Sequence, residues 1–528
     1  MQRVSVTVFV AGMLLAPGAA AGQDLRLVDA VAVQDAQTVR ALLDAGADVN
    51  ASRADGATAL LWAAHWDDAD LAGRLIRAGA DLNAADDHGV TPLERAAENA
   101  SLPMVERLLA AGARADVART SGLTPLMTAA RTGSTAVVEA LLAHGADVNA
   151  ATRETLSTAL MWAVAGAHPA VVRALLDAGA DPHPSTAKGF TPLLYAARNG
   201  DVAMADTLLA AGVHPDETGT DDTHALPYAI VSGHDEFAHF LIERGADPNG
   251  TMAGVPALHA AAGSIFTWMT DWNRRHNDID RYARFGRSGL DSDRRLRLVE
   301  ALLAAGADPN GRLTTSAMIM NYIGYPRKGA FEPFACGTGD LRGATPLWVA
   351  AFELNRPAPR YSGARSYTPS GGAILEALLA AGADQHLTTV DGTTPFMAAA
   401  GLGRSTYTPR EPRGVRSLGA EAAVRILLEA GADIDAVNEA DFTALHGAAF
   451  RGLNEVVEYL VANGADIDAR DFRGRTAYRM AEGSKQSFQF QSWPETAALL
   501  ARLGANTRLG IPGTVQERLR DVPRTAEQ

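Results

Sequence analysis

Hydrophobic and polar positions follow a pattern along this chain that returns about every 33 residues. Each unit has a short Leu-rich segment with apolar residues at i, i+3 and i+4, then Gly, then Ala-Asp or a close variant. The glycines that end these segments are Gly46, Gly79, Gly112, Gly145, Gly179, Gly212, Gly245, Gly306, Gly382, Gly431, Gly464 and Gly504. Successive gaps are 33, 33, 33, 34, 33, 33, 61, 76, 49, 33 and 40 residues, so one unit is stacked and then interrupted at a few places.

A regular unit predicts two helices. The hydroxyl of Thr124 can cap the first helix, and Pro125 suits its first position because Pro has no N–H group to leave unpaired. Gly133 is expected to end that helix, and Ser134 or Thr135 to cap the second. The recurring glycine then stops the second helix in the left-handed conformation. The residues that remain, from Asp147 to the next Gly, are few enough to form a hairpin turn before the next unit.

The series Gly-x-Thr-Pro-Leu, Ala-Ala, Leu-Leu and Gly-Ala-Asp resembles the ankyrin repeat. In-phase Thr-Pro or Thr-Ala pairs start at Thr58, Thr91, Thr124, Thr158, Thr191, Thr345, Thr394, Thr443 and Thr476. Two repeats depart from the pattern, since His224 and Pro256 stand at the Thr position. The resemblance implies an all-α repeat solenoid of about 11–12 units, each a helix-turn-helix plus a β-hairpin loop, with long insertions in the later repeats.

The pattern predicts six parts along the chain. They are a signal peptide at 1–22, an N-terminal capping repeat at 24–52, regular repeats at 53–250, repeats with long insertions at 251–436, the final repeats with a C-terminal cap at 437–510, and a flexible tail at 511–528. The first part has a charged start, an apolar run from Val4 to Leu15 and the small residues Ala19-Ala20-Ala21-Gly22. This order is typical of a secretory signal, the alternative being an uncleaved anchor.

Four of the intervals between the recurring glycines exceed a regular unit, by 28, 43, 16 and 7 residues, and the second of these intervals contains two insertions. The insertions are predicted near Ser264 to Arg294, Leu313 to Arg342, Glu353 to Gly371 and Leu402 to Leu418, and in the last unit after Gly474. Three of them fall between the two helices of a repeat, so we expect them to form a side lobe on one edge. The segment 264–418 has 19 Lys plus Arg against 14 Asp plus Glu, and 15 of the 32 aromatic residues.

The formal net charge of −14 argues against nucleic acid or anionic lipid as the main partner, because both require clustered Lys and Arg. The only cysteine, Cys336, excludes an intramolecular disulfide. No HExxH, CxxC, GxSxG, Walker-type or calcium-loop motif is present. We therefore predict a chain that is not an enzyme, with no catalytic residue, no cofactor and no metal site, and no integral membrane span after signal cleavage.

In ankyrin proteins the hairpin tips and the exposed side of the first helix form a concave binding groove. The resemblance places these candidate partner-binding residues on that groove: Trp62, Trp66, Arg131, Trp162, Tyr195, Arg198, Tyr228, Phe352, Phe450 and Arg451. Rigid aromatic rings bury much area at small entropic cost, which suits an interface. For Trp62, Trp162, Tyr195 and Tyr228 the alternative is packing between adjacent repeats.

The predicted insert lobe supplies a second set of candidates for a partner or ligand: Trp268, Trp272, Arg274, Arg275 and Tyr282. The leading hypothesis is an exported bacterial ankyrin-repeat scaffold, periplasmic or secreted, that binds a protein partner through the groove, the lobe or both. The alternative is that the lobe binds a cell-envelope glycan or a small anionic ligand, with aromatic rings stacked on sugar faces and arginines paired with carboxylates.

Overall fold

The computed structural model describes residues 24–263, 290–314, 342–355, 372–402, 416–471, 474–486 and 489–509. The chain forms two compact units, Met1–Asp181 and Pro182–Gln528, which are described separately. The described residues contain 24 α-helices and two short β-hairpins. The helices form twelve successive pairs, which confirms the predicted all-α repeat solenoid.

The first unit contains five helix pairs. Its helices are α1 (Arg26–Ala32), α2 (Ala36–Asp44), α3 (Ala59–His65), α4 (Ala69–Arg77), α5 (Pro92–Glu98), α6 (Leu102–Ala110), α7 (Pro125–Thr132), α8 (Thr135–Ala143), α9 (Ala159–Ala165) and α10 (Pro169–Asp177). We call the first helix of each pair the inner helix and the second the outer helix.

The second unit contains the other seven pairs and both hairpins. Its elements are α11 (Pro192–Asn199), α12 (Val202–Ala210), α13 (Ala225–Ser232), α14 (Asp235–Glu243), β1 (Thr251–Met252), β2 (Val255–Pro256), α15 (Ala257–Ala262), α16 (Ser292–Ala304), α17 (Pro346–Leu354), α18 (Ala373–Ala380), α19 (Pro395–Ala399), α20 (Leu418–Glu429), α21 (Ala444–Arg451), α22 (Asn454–Ala462), α23 (Ala477–Gly483), β3 (Ser484–Gln486), β4 (Gln489–Gln491) and α24 (Pro494–Arg502).

Within each unit the inner helices pack on one another in sequence, and the outer helices form a second layer against them. The inner helices approach closely because their facing positions are alanines, such as Ala63, Ala96 and Ala129, all fully buried. The outer helices contribute buried Leu and Val at helical spacing, for example Leu75 and Leu108. The core is therefore one seam between two helix layers in each unit.

The predicted helix starts are confirmed by hydrogen bonds. At each of nine inner helices a threonine hydroxyl accepts a bond from the N–H group three residues later, at 3.2 to 3.4 Å. Gly133 and Gly145 have φ of 79° and 82°, as the predicted helix ends require. Ser134 stands at the N-cap of α8 but makes no side-chain cap bond, so that part of the prediction was wrong.

The two repeats that depart from the Thr-Pro pattern still form inner helices. His224 precedes α13 and Pro256 precedes the short α15, and neither side chain makes a cap hydrogen bond. Packing between neighbouring repeats buries α13 and α15 and thereby compensates for the missing cap.

Neighbouring hairpin loops are joined by an asparagine ladder. The Asn50 amide donates to the carbonyl of Gly79 at 3.0 Å, and its oxygen accepts from the Asp81 N–H at 2.7 Å. In the second unit Asn249 donates to Gly306 and Asn310 donates to Gly382, at 3.3 and 3.1 Å. These last two bonds join residues 57 and 72 positions apart, so the stack continues across the interruptions.

The predicted insertions fall largely outside the described residues. In the sequence, segments 264–289, 356–371 and 403–415 stand between an inner helix and its outer helix, and 315–341 stands between α16 and α17. Leu313 and Ala344 lie on either side of the last segment, and the Leu313 N–H bonds the Ala344 carbonyl at 3.0 Å. The first boundary shifts, because Arg294 belongs to helix α16. The predicted side lobe itself lies outside the described residues.

The last repeat contains an element that the sequence analysis did not predict. Strands β3 and β4 pair antiparallel between α23 and α24, with Lys485 opposite Phe490. The Trp493 N–H then bonds the Ala481 carbonyl at 2.7 Å, which brings α24 back against α23. The short insertion in the last unit therefore contains a β-hairpin.

Candidate functional site

The inner-helix surface of the first unit carries an aromatic cluster. Trp66, at the end of α3, is 42% exposed and stacks on Trp62, with ring centroids 6.2 Å apart and planes 26° apart. His65 lies edge-on to both rings, at 5.4 and 4.7 Å. Trp62 is half-buried against Ala57 and neighbouring apolar residues, so its ring supports the exposed Trp66.

Arg53 covers one face of the Trp62 ring in the same cluster. Its guanidinium lies 5.3 Å from the centroid of the Trp62 ring and pairs with Asp29 at 2.8 Å. A cation over an indole face is attracted by the ring quadrupole. The ion pair orients the guanidinium toward the ring, so Trp62 is held between the apolar core and a positive charge.

A buried ionic network lies one repeat further along. Glu94 on α5 is fully buried and accepts from the Thr128 hydroxyl at 2.6 Å and from the Arg119 guanidinium at 2.9 Å. Glu98 pairs with Arg95 at 2.6 Å. Burial raises the pKa of Glu94 above its usual range, although Thr128 and Arg119 act in the opposite direction.

Trp162 and two arginines occupy the next part of this surface. Trp162 on α9 is half-buried, and its indole nitrogen has no acceptor among the described residues. Arg131 lies three residues after Thr128 on α7, so the two share a helix face. Arg153, in the next hairpin loop, bonds the Ser121 carbonyl through its backbone N–H at 3.0 Å. Both arginine side chains are exposed and make no ion pair in the described part of the chain.

In the second unit, Tyr195 and Arg198 on α11 form one contact pair. The Arg198 guanidinium lies 4.9 Å from the centroid of the Tyr195 ring, and Phe190 packs on the same ring at 5.1 Å. Burial raises the pKa of Tyr195, with the Arg198 charge opposing the rise. Both predicted residues are half-buried, so part of each remains accessible.

Tyr228 requires a correction. The sequence analysis left open whether it lines the groove or packs between repeats, and the structure buries it completely, edge-on to Phe190 at 5.8 Å. Packing between repeats therefore describes Tyr228. A ring with no exposed surface offers nothing to a partner, so it is removed from the candidates.

Phe352, Phe450 and Arg451 also require correction, since all three are buried. Phe352 stacks on Trp348 with centroids 5.0 Å apart. Phe450 belongs to a hydrophobic cluster in which Phe442 is also buried. The two phenylalanine rings fill the interior, and the stem of Arg451 is covered where it lies against Gly401, so the groove assignment fails at all three positions.

The candidates of the insert lobe lie outside the described residues. They are Trp268, Trp272, Arg274, Arg275 and Tyr282, and Cys336 also lies there. Their roles stay predictions.

Three residues of the first unit's surface were missed by the sequence analysis: Arg53, Glu94 and Arg119. A signal was present, because Arg53, Arg119 and Arg153 each stand nine residues before an inner-helix position of the surface, at Trp62, Thr128 and Trp162. Glu94 stands where the other four Thr-Pro or Thr-Ala repeats up to residue 212 have Leu or Met, and a charged residue there must find buried partners.

The described ranges contain neither a candidate metal site nor a candidate membrane-spanning helix. No group of three or more His, Cys, Asp or Glu side chains there could hold a metal ion. No helix of that part of the chain is long and apolar enough to cross a membrane.

A family model described as ankyrin repeats (3 copies) matches residues 27–121, 95–186, 178–252 and 368–471. These matches cover more than half of the chain, which therefore belongs to the ankyrin-repeat family. Ankyrin repeats generally mediate protein–protein interaction, and ankyrin-repeat proteins are generally non-enzymatic scaffolds.

Solved structures give a second comparison, in which 548 chains match. Among them is the crystal structure of the human ASB11 ankyrin repeat domain, at 26% sequence identity and a TM-score of 0.38. The match covers 41% of this chain and 96% of that chain. A search of curated protein sequences gave no significant match.

Proposed function

We propose that this chain is a non-enzymatic scaffold that binds a protein partner on the inner-helix surface of its first unit. The observation that carries the proposal is the exposure of Trp66 on a rigid support. Its ring is 42% exposed, yet it is held by Trp62 and His65. A large ring that is already ordered loses little entropy on binding, which is the property of an interface hot spot.

The proposed partner lies outside the cytoplasm of a bacterium. The charged start, the apolar run from Val4 to Leu15 and the small residues before Gln23 support export through a cleaved signal. The periplasm is the compartment we propose.

Affinity capture tests the proposal. The full mature chain would be immobilised and exposed to a periplasmic extract of the source organism, with mild cross-linking and mass spectrometry of the retained proteins. We expect one reproducible, stoichiometric protein. Trp66→Ala should weaken its retention at least tenfold, since hot-spot truncations cost about 2 kcal/mol or more.

Leu503→Ala is the matched control, because Leu503 is also exposed but stands at the end of the outer helix α24, away from the groove and from the predicted insert lobe. It should leave retention unchanged. Equal retention by Trp66→Ala and the unaltered chain would reject this surface as the binding site. Retention of cell-wall glycan without protein would favour the alternative envelope-ligand function of the insert lobe.

A further inference from the structure

A cleft on the outer helices of the first unit lies apart from the aromatic cluster described above. It lies between α2 and α4 and has a volume of about 310 Å³. A volume of this size is at the lower end of the range found for small-molecule sites. The cleft, here called the outer cleft, is lined by Arg40, Leu43, Asp44, Arg74, Arg77 and Ala78.

Positive charge predominates in the outer cleft. Its lining contains three guanidinium groups and one carboxylate, that of Asp44, and all four of these residues are exposed. None of the three arginines makes an ion pair or a side-chain hydrogen bond among the described residues. The N–H donors of the cleft are therefore available to a ligand. The arginines that do form ion pairs in the described part of this unit are Arg26, Arg53, Arg95 and Arg119.

The helix dipole accounts for only part of this charge. Arg74 and Arg77 lie in the last turn of α4, where the negative end of the helix dipole favours a cation. Arg40 precedes the last turn of α2, and that helix ends at Asp44 instead. The one other acid of α4, Asp70, stands one turn before Arg74 and does not line the cleft. The third arginine thus has no such structural reason, and it points to a ligand.

A glycine in the middle of α4 admits a further guanidinium next to the cleft. Gly73 is buried beneath Arg107 of α6. A Cβ atom added to Gly73 would lie 3.5 Å from the Arg107 Cζ and would collide with one of its terminal nitrogens. Glycine is unfavourable inside a helix, so the room that it leaves has a cost. Since Arg74 follows Gly73 directly, this guanidinium lies one residue along α4 from the lining of the cleft.

We infer that the outer cleft binds a small, multiply charged oxyanion, such as a phosphate ester or a polycarboxylate. The planar donors of a guanidinium match the oxygens of phosphate and carboxylate groups, often two at a time. Arg40 lies on one outer helix and Arg74 and Arg77 on the next, so a ligand with several anionic oxygens bridges two repeats. This site is separate from Trp66, which precedes α4, because the cleft lies at the other end of that helix.

Isothermal titration calorimetry of the full mature chain tests the inference, with inorganic pyrophosphate and citrate as the two probes. We expect saturable binding of one anion per chain, weakened by added NaCl because the cleft is exposed. Arg74→Ala/Arg77→Ala should weaken the affinity at least tenfold, since two charge-assisted interactions are lost. Preference for pyrophosphate would identify a phosphoryl ligand and preference for citrate a polycarboxylate, and either would support the cleft.

Arg114→Ala/Arg173→Ala is the matched control. Both residues are exposed in the same unit, lie outside the cleft and make no ion pair in the part of the chain that the structure describes, so the net charge changes equally. This variant should alter the affinity by less than about twofold. An equal loss in both double variants would mean that only total charge matters, and it would overturn the inference.

Asp44→Asn tests the cleft in the opposite direction. It removes the one carboxylate of the lining, so the affinity for the anion should rise about threefold. A variant that had lost its fold would not bind more tightly. Unchanged or weaker binding would place the anion elsewhere on the chain and would overturn the inference.

Other outcomes separate the outer cleft from the proposed partner-binding surface. Trp66→Ala should leave anion binding unchanged, and Arg74→Ala/Arg77→Ala should leave retention of the protein partner unchanged. Failure of either probe to bind saturably would overturn the outer cleft and leave the scaffold function standing. Binding to vesicles that contain phosphatidylglycerol, but to neither free anion, would identify a membrane surface and overturn the assignment to a small ligand.

Discussion

The Nδ1 atom of His259 lacks a hydrogen bond because Pro256 stands three residues before it. His446 occupies the same position in a later repeat, and its Nδ1 accepts from the Thr443 N–H at 3.1 Å and contacts the hydroxyl at 2.9 Å. Pro256 has neither an N–H group nor a hydroxyl, and the Nδ1 atom of His259 is buried without a partner. Both histidines bond the next hairpin loop through Nε2, to Ala344 and Arg475 at 3.0 and 3.1 Å.

Restoring threonine at this position should stabilise the second unit. Pro256→Thr supplies both groups that His446 receives, so we expect the free energy of unfolding to rise by about 1 kcal/mol, after allowance for the flexibility gained by the unfolded chain. Urea denaturation measures the change. Pro256→Val supplies the N–H alone and should gain less, whereas a gain equal to that of Thr would show that the hydroxyl does nothing.

Acid should weaken the fold through the same histidine. Burial lowers the pKa of His259 from 6.5 to about 4, so below pH 6.5 the unfolded chain binds a proton that the folded chain does not. This contribution to stability is complete above pH 6.5 and falls by up to about 1.4 kcal/mol per pH unit toward pH 4. Between pH 7 and pH 5 the free energy of unfolding should fall by about 2 kcal/mol less in His259→Gln than in the unaltered chain.

Glu94 should have the opposite dependence on pH. Because burial raises its pKa, the folded chain holds its proton above pH 4.5, where the unfolded chain has lost it. Its stabilising effect is therefore complete below pH 4.5 and declines as the pH rises from there. Glu94→Gln removes this decline, so its melting temperature should improve relative to the unaltered chain between pH 4 and pH 7. A difference that stays constant over that range would contradict the prediction.

The asparagine ladder should contribute to stability even where it crosses an insertion. Asn310 donates to Gly382 at 3.1 Å and accepts from Asp384 at 2.7 Å. Asn310→Ala removes both bonds and should lower the free energy of unfolding by about 1–2 kcal/mol. Asn463→Ala is the control, because Asn463 bonds only within its own turn, at Tyr459, and it should cost less. An equal fall in the free energy of unfolding in both variants would show that the bonds between repeats contribute no more than a bond within one turn.

The repeat fold could be predicted because its signals are local. Threonine caps such as Thr124 and left-handed glycines such as Gly133 act within one helical turn. The burial of the Phe450 and Tyr228 rings could not be predicted, because both stand at variable repeat positions. Only the neighbouring repeat decides whether a ring there is covered. The pairing of Arg119 with Glu94 joins two repeats, so no single unit of sequence contains it.

The asparagine ladder keeps the stacking of the repeats independent of the insertions. Asn249, Gly306, Asn310 and Gly382 lie outside the insertions, and they hold neighbouring repeats together regardless of how many residues intervene. Additions or deletions in segments 264–289 and 315–341 therefore need not disturb the ladder. Mutations in those segments can change what the chain recognises while the packing of the repeats stays the same. New binding properties can therefore evolve with little loss of folding stability.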